Sequence, residues 1–195
     1  MRPNESWSVS ISNEAVRPVS DVALMLRDAV GSIVGRELAT LRREVEAYDN
    51  DADLWQEVPG LPNSAGTLVL HLAGNLQHFF GRRLGGSAYV RDRDAEFSRR
   101  NLPRADLIRE IEAAGHAVRA GLSLLSPSTL LDDFPEPVAG IRLGTGEYLV
   151  HLATHLAYHL GQVDCHRRIV TGKGEGVGAM RPSELGSARP IGREA

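Results

Sequence analysis

Four stretches of this chain carry apolar residues at helical spacing, and connections rich in proline and glycine separate them. This constrains the fold more than any other feature, because amphipathic helices must bury their stripes against one another. The first stretch starts at a Ser20 or Asp21 cap and runs to residue 48, with Val22, Met25, Leu26, Ala29, Ile33, Leu38 and Leu41 facing inward. The second starts at Asn63 or Ser64, buries Leu68, Leu72, Leu76, Phe79 and Phe80, and ends at Gly85 and Gly86. Pro103 suits the first turn of the third, which runs to residue 125 with Leu107, Ile108, Ile111, Ala114, Val118, Leu122 and Leu125 inward. Thr145 caps the fourth, which continues to Thr171.

The connections read as a loop at 49–64 anchored by Trp55, a charged irregular segment at 87–102, and a long link at 126–146 with a short extended piece at 138–143. The expected fold is an all-α four-helix bundle with long crossover connections, because the proline-rich link before the fourth helix is too long for a tight hairpin. The expected organisation is a polar extension at 1–20, one bundle domain at 21–171, and a flexible tail at 172–195, mobile or wrapped over the surface.

With 195 residues, 42% of them hydrophobic, the chain can bury one substantial core. Its formal net charge is −3, and no long basic run occurs, which argues against nucleic acid as a partner. Arg91, Arg93, Arg99 and Arg100 are interrupted by Asp92, Asp94 and Glu96, and read as a solvated loop with internal ion pairs. Cys165 is the only cysteine, so no intrachain disulfide is expected. There is no signal-peptide pattern and no apolar run of membrane-spanning length, so the expectation is a cytoplasmic protein without a membrane partner.

The fourth stretch also carries chemistry. His155 and His159 are four residues apart, hence one turn apart on one helical face. Two imidazoles so placed can grip one transition metal, and a third from a facing helix would leave positions open for water or substrate. His151, Gln162 and His166 lie on the same stripe, which borders the apolar sector of Leu149, Leu152, Leu156, Leu160 and Val163. His151 and His166 read as supporting or surface groups, since four imidazoles on one stripe cannot all bind one ion. The second helix offers His71 and His78, seven apart, with Asn75 on the same face. Spacing does not choose between the two. Cys165 reads as a partly buried bystander, and Tyr158 as a packing or interface residue.

Three segments, read together, carry a resemblance. These are Leu70-His71-Leu72-Ala73-Gly74-Asn75-Leu76, Arg91-Asp92-Arg93-Asp94-Ala95-Glu96-Phe97, and His155-Leu156-Ala157-Tyr158-His159-Leu160-Gly161-Gln162. They resemble the DinB-like superfamily (DinB/YfiT-like metalloenzymes), and within it a branch with the pattern HLxGN…RxRDxEF…HxxxHxGQ. Trp55 and the pair Asn63 and Ser64 also sit where that branch has a tryptophan and an Asn-Ser pair. The resemblance extends over residues 20–171. It implies a four-helix bundle, often a homodimer, with a divalent metal held by His71, His155 and His159. Related families include the bacillithiol transferases and the mycothiol-dependent maleylpyruvate isomerases, which use a low-molecular-weight thiol.

Neutral imidazoles suit Zn, Ni, Fe, Cu and, less well, Mn. Such an ion lowers the pKa of bound water or thiol, so the expectation is a metal-dependent enzyme acting on a small molecule. Thiol S-transfer, hydrolysis, and a non-catalytic metal-binding or stress-related role all remain open at this level. Asn75, Gln162 and His151 are the candidates for orienting the ligands by hydrogen bonds, and 91–96 is expected to fix a loop near the bundle mouth. A di-iron carboxylate site is disfavoured: Glu112 and His116, and Glu147 and His151, are four apart and make no Glu-x-x-His pair. Nothing in the chain calls for haem.

Overall fold

The computed structural model describes residues 18–191, so most of the 1–20 extension lies outside the described residues. Four long helical elements form the body: α1 (Val19–Glu46), α2 (Ala65–Leu76) continued by a π-helical segment (Gln77–Leu84), α4 (Arg104–Ser123) and α6 (Thr145–Thr171). Two short helices, α3 (Arg93–Ser98) and α5 (Pro127–Leu131), lie in the connections. The fold is therefore all-α, and among the described residues no strand is formed, only isolated bridges at Asp133 with Gly144 and Val138 with Ile141.

Both α1 and α2 pack against α4 and α6. Consecutive members of the pairs α1–α2 and α4–α6 thus sit diagonally, and the links between them cross the bundle end. α2 is buried at every residue from Ala65 to Leu76. A helix covered on all sides must be apolar on all sides, so the few polar groups on this one, His71 and Asn75 among them, stand out. Its N-terminus is capped by Ser64, whose hydroxyl accepts from the Thr67 amide at 3.3 Å. The π-helical segment presses closely on α4: a Cβ at Gly121 would lie 2.3 Å from the Phe80 carbonyl oxygen.

Trp55 anchors the first connection, buried, with its indole N–H donating to the Leu102 carbonyl at 3.1 Å. α6 ends at Gly172, whose φ of 69° is left-handed. Beyond it the chain lies along α1: Arg43 donates to the Gly178 carbonyl at 3.1 Å, and the Gly186 amide donates to Ser32 Oγ at 2.7 Å. A buried ion pair between Arg167 and Glu44 ties α6 to α1. Among the described residues no helix is long and apolar enough to cross a membrane.

Several sequence-based expectations need correction. The inward face of α1 is Ala23, Val30, Val34, Leu38, Leu41 and Val45, while Val22 and Met25 are exposed. The N-terminal half of α1 is apolar on more than one side, so periodicity alone did not fix its rotation. Residues 87–102 are not wholly irregular: Asp92 caps α3 by accepting from the Ala95 amide at 2.9 Å. Gly144, not Thr145, is the cap residue of α6, and Pro103 precedes α4 rather than opening its first turn. His166 is neither a surface group nor part of the histidine site. It is fully buried, with Nδ1 2.8 Å from the Tyr48 hydroxyl and Nε2 2.8 Å from the Gln56 carbonyl. Cys165 is exposed rather than partly buried.

Candidate metal centre

Three imidazoles converge between α2 and α6. His71, on the buried helix, faces His155 and His159, one turn apart on α6, and one nitrogen from each lies within 4.8 Å of the others. His71 Nε2 and His155 Nε2 are 3.3 Å apart. For nitrogens bound to one tetrahedral ion at about 2.0–2.1 Å, the expected separation is about 3.3–3.4 Å. His78, the other candidate on the second helix, is turned away and bonds Glu136 of the α5–α6 link at 2.7 Å.

The far sides of the rings decide which nitrogens face the centre. His71 Nδ1 lies 3.0 Å from Glu96 Oε2. A carboxylate only accepts, so Nδ1 carries the proton and Nε2 keeps its lone pair. His159 Nδ1 is 2.7 Å from Gln162 Oε1, which likewise leaves Nε2 for the centre. His155 Nδ1 is buried with no partner among the described residues. Burial, with the neighbouring His159 and His71, pushes His155 down to about 4, and burial lowers His159 as well. Both are neutral near pH 7, so both present lone pairs. Three imidazole nitrogens at this spacing fit a divalent transition ion.

Glu96 is the functional residue that sequence reasoning missed. It is 6% exposed, so its charge must be matched. Arg91 matches it twice, with Nε donating to Oε1 at 2.6 Å and Nη2 to Oε2 at 2.8 Å. Burial pushes the Glu96 carboxyl upward, but the hydrogen bonds from Arg91 and His71 prevail and hold it below the usual carboxylate range. The segment 91–96 is therefore not a solvated loop at this point: it supports His71 from behind. Gly74 makes room for that support, since a Cβ there would sit 2.2 Å from Glu96 Oε1. The acid within Arg91–Phe97 and the glycine within Leu70–Leu76 were the available signals.

Gln162 bonds His159. Asn75 lines the cavity beside the three imidazoles, bonds none of them, and leaves its Oδ1 buried without a partner. His151 is exposed at the rim, its ring stacked between Tyr148 at 5.6 Å and His155 at 6.2 Å. Tyr158 is exposed. The cavity measures about 370 Å³ and is bounded on its apolar side by Leu68, Phe79, Phe97, Val138 and Leu152.

No curated protein and no solved structure matches the chain. A family model does, over residues 35–163, a span that holds all three imidazoles and Glu96 and covers well over half the sequence. With an all-α bundle and a three-histidine cluster between two of its helices, this chain belongs to the DinB superfamily.

Proposed function

We propose that this chain is a divalent-metal-dependent enzyme that activates a low-molecular-weight thiol for transfer to an electrophilic small molecule. The observation that carries the reading is the convergence of three imidazoles with lone pairs aimed at one point, one backed by a buried carboxylate. His71, His155 and His159 would hold Zn, Ni, Fe or Mn, and the bound ion would supply a lowered pKa to a thiol or water placed beside it. Glu96 and Gln162 keep two rings in the productive tautomer, and the apolar wall limits water around the reacting atoms.

Thiol transfer is favoured over hydrolysis by what the wall lacks. No carboxylate lines the cavity among the described residues, and Glu96 is already engaged by His71 and Arg91. A metal brings the pKa of bound water only to about 7, and metalloproteases add a carboxylate as general base, whereas a coordinating thiol is deprotonated outright. Homodimerisation and a cytoplasmic location complete the proposal.

Cobalt substitution tests it. Addition of a low-molecular-weight thiol to the Co(II) protein is expected to produce a sulfur-to-cobalt charge-transfer band and to drop the coordination spectrum into a new form. A closed tetrahedral spectrum, unchanged by thiols or by water-competing anions, would instead fit a non-catalytic metal-binding role.

A further inference from the structure

The cavity wall has a second, unused set of polar groups, and their charge is one-sided. Arg91 and Arg93 both line it, and among the described residues no Asp or Glu does. Arg91 is spent on Glu96. Arg93 is exposed at the mouth and forms no hydrogen bond or ion pair among the described residues; its guanidinium rests on the Phe97 ring, 5.1 Å from the centroid. Phe97 in turn packs on His71, with ring centroids 5.0 Å apart. Stacking on an aromatic face fixes an arginine's plane while leaving its N–H fork free.

The second observation is deeper. Tyr148 is 2% exposed and lines the same cavity, and its hydroxyl makes no hydrogen bond among the described residues. A hydroxyl that lines a cavity and has no protein partner is free to donate to a ligand there. Phe79 and Phe134 hold the ring in place edge-on, at 5.1 and 4.7 Å. The Oδ1 of Asn75, buried without a partner among the described residues, adds an acceptor for a donor group elsewhere on the ligand.

We propose that this cavity binds a small organic carboxylate, with Arg93 as the charged anchor and the Tyr148 hydroxyl as a second donor. The carboxylate accepts from both, and its carbon skeleton lies against Phe79, Val138 and Leu152, which places the remainder of the molecule beside the imidazoles. The charge favours this class. A divalent ion on three neutral ligands keeps its full positive charge, Arg93 adds another, and only an anionic ligand offsets them. The inference rests on reading the three-histidine cavity as a small-molecule site.

The test uses the full-length protein, once stripped of metal and once loaded with Zn(II). Calorimetry compares small monocarboxylates (acetate, benzoate, phenylacetate) with their matched amides. At least one acid is expected to bind about tenfold or more tighter than its amide in both forms, the scale of a charge-assisted hydrogen bond. Arg93→Gln is expected to remove that preference, Arg93→Lys to restore part of it, and Tyr148→Phe to weaken the acid alone by roughly fivefold. Circular dichroism establishes that each variant is folded. Equal binding of acid and amide, no acid binding up to roughly millimolar concentration, or a preference that survives Arg93→Gln would overturn the proposal. The two readings separate cleanly. Failure of the metal reading leaves an Arg93-dependent preference in protein that binds no Zn(II). Failure of the carboxylate proposal leaves stoichiometric Zn(II) and no preference.

Discussion

At the scale of single residues, the site is organised from behind its ligands. Glu96 fixes the His71 proton on Nδ1, and Arg91 keeps Glu96 ionised in a buried position. Carboxylate support of this kind typically contributes about 10- to 100-fold in metal affinity. Glu96→Gln is therefore expected to weaken Zn(II) binding by about that factor while the fold persists, measured by competition with a chromophoric chelator. Gly74→Ala should act in the same direction, because the new Cβ occupies the space of the Glu96 carboxylate. Unchanged affinity in both variants would remove Glu96 from the account. None of this was legible from helical periodicity. Glu96 lies in a charged run that looks solvated residue by residue, and only its placement against a glycine on a buried helix makes it an interior group.

At the scale of elements, the helices are held in register by buried polar joints as well as by apolar faces. His166 on α6 accepts from the Tyr48 hydroxyl through Nδ1 and donates from Nε2 to the Gln56 carbonyl, pinning the first connection to the bundle. Burial lowers its pKa, despite the Gln56 hydrogen bond that favours the charged form. The unfolded chain binds a proton at about pH 6.5 and the folded chain only at lower pH, so stability is full above that value and falls as pH drops below it. His155 and His159 are shifted the same way in metal-free protein. Urea unfolding of the metal-free protein should show stability declining from about pH 7 to pH 5, and His166→Gln should flatten part of that slope. A slope identical in wild type and variant would mean that His166 contributes nothing to it.

At the scale of the whole molecule, the four long helices and their crossovers were readable because apolar stripes, terminating glycines and proline-rich links agree with one another. α6 was legible to its last residue, Thr171, since Gly172 terminates it in the left-handed conformation. The rotation of α1 was not, since its N-terminal half offers several apolar faces and only packing against α4 and α6 selects one. The π-helical continuation of α2 was equally silent, and it is there that the backbone meets α4 closely at Gly121. For the site, the i, i+4 pair on α6 was evident in the spacing, while the choice of His71 over His78 needed either the resemblance or the fold. In the folded chain His78 turns to Glu136 and His71 to the centre. Elemental analysis of protein purified without a polyhistidine tag tests the central claim most directly. The account predicts about one divalent transition ion per chain, lost in His71→Ala and in His159→Ala. Folded wild-type protein that stays metal-free after growth in metal-replete medium would contradict it.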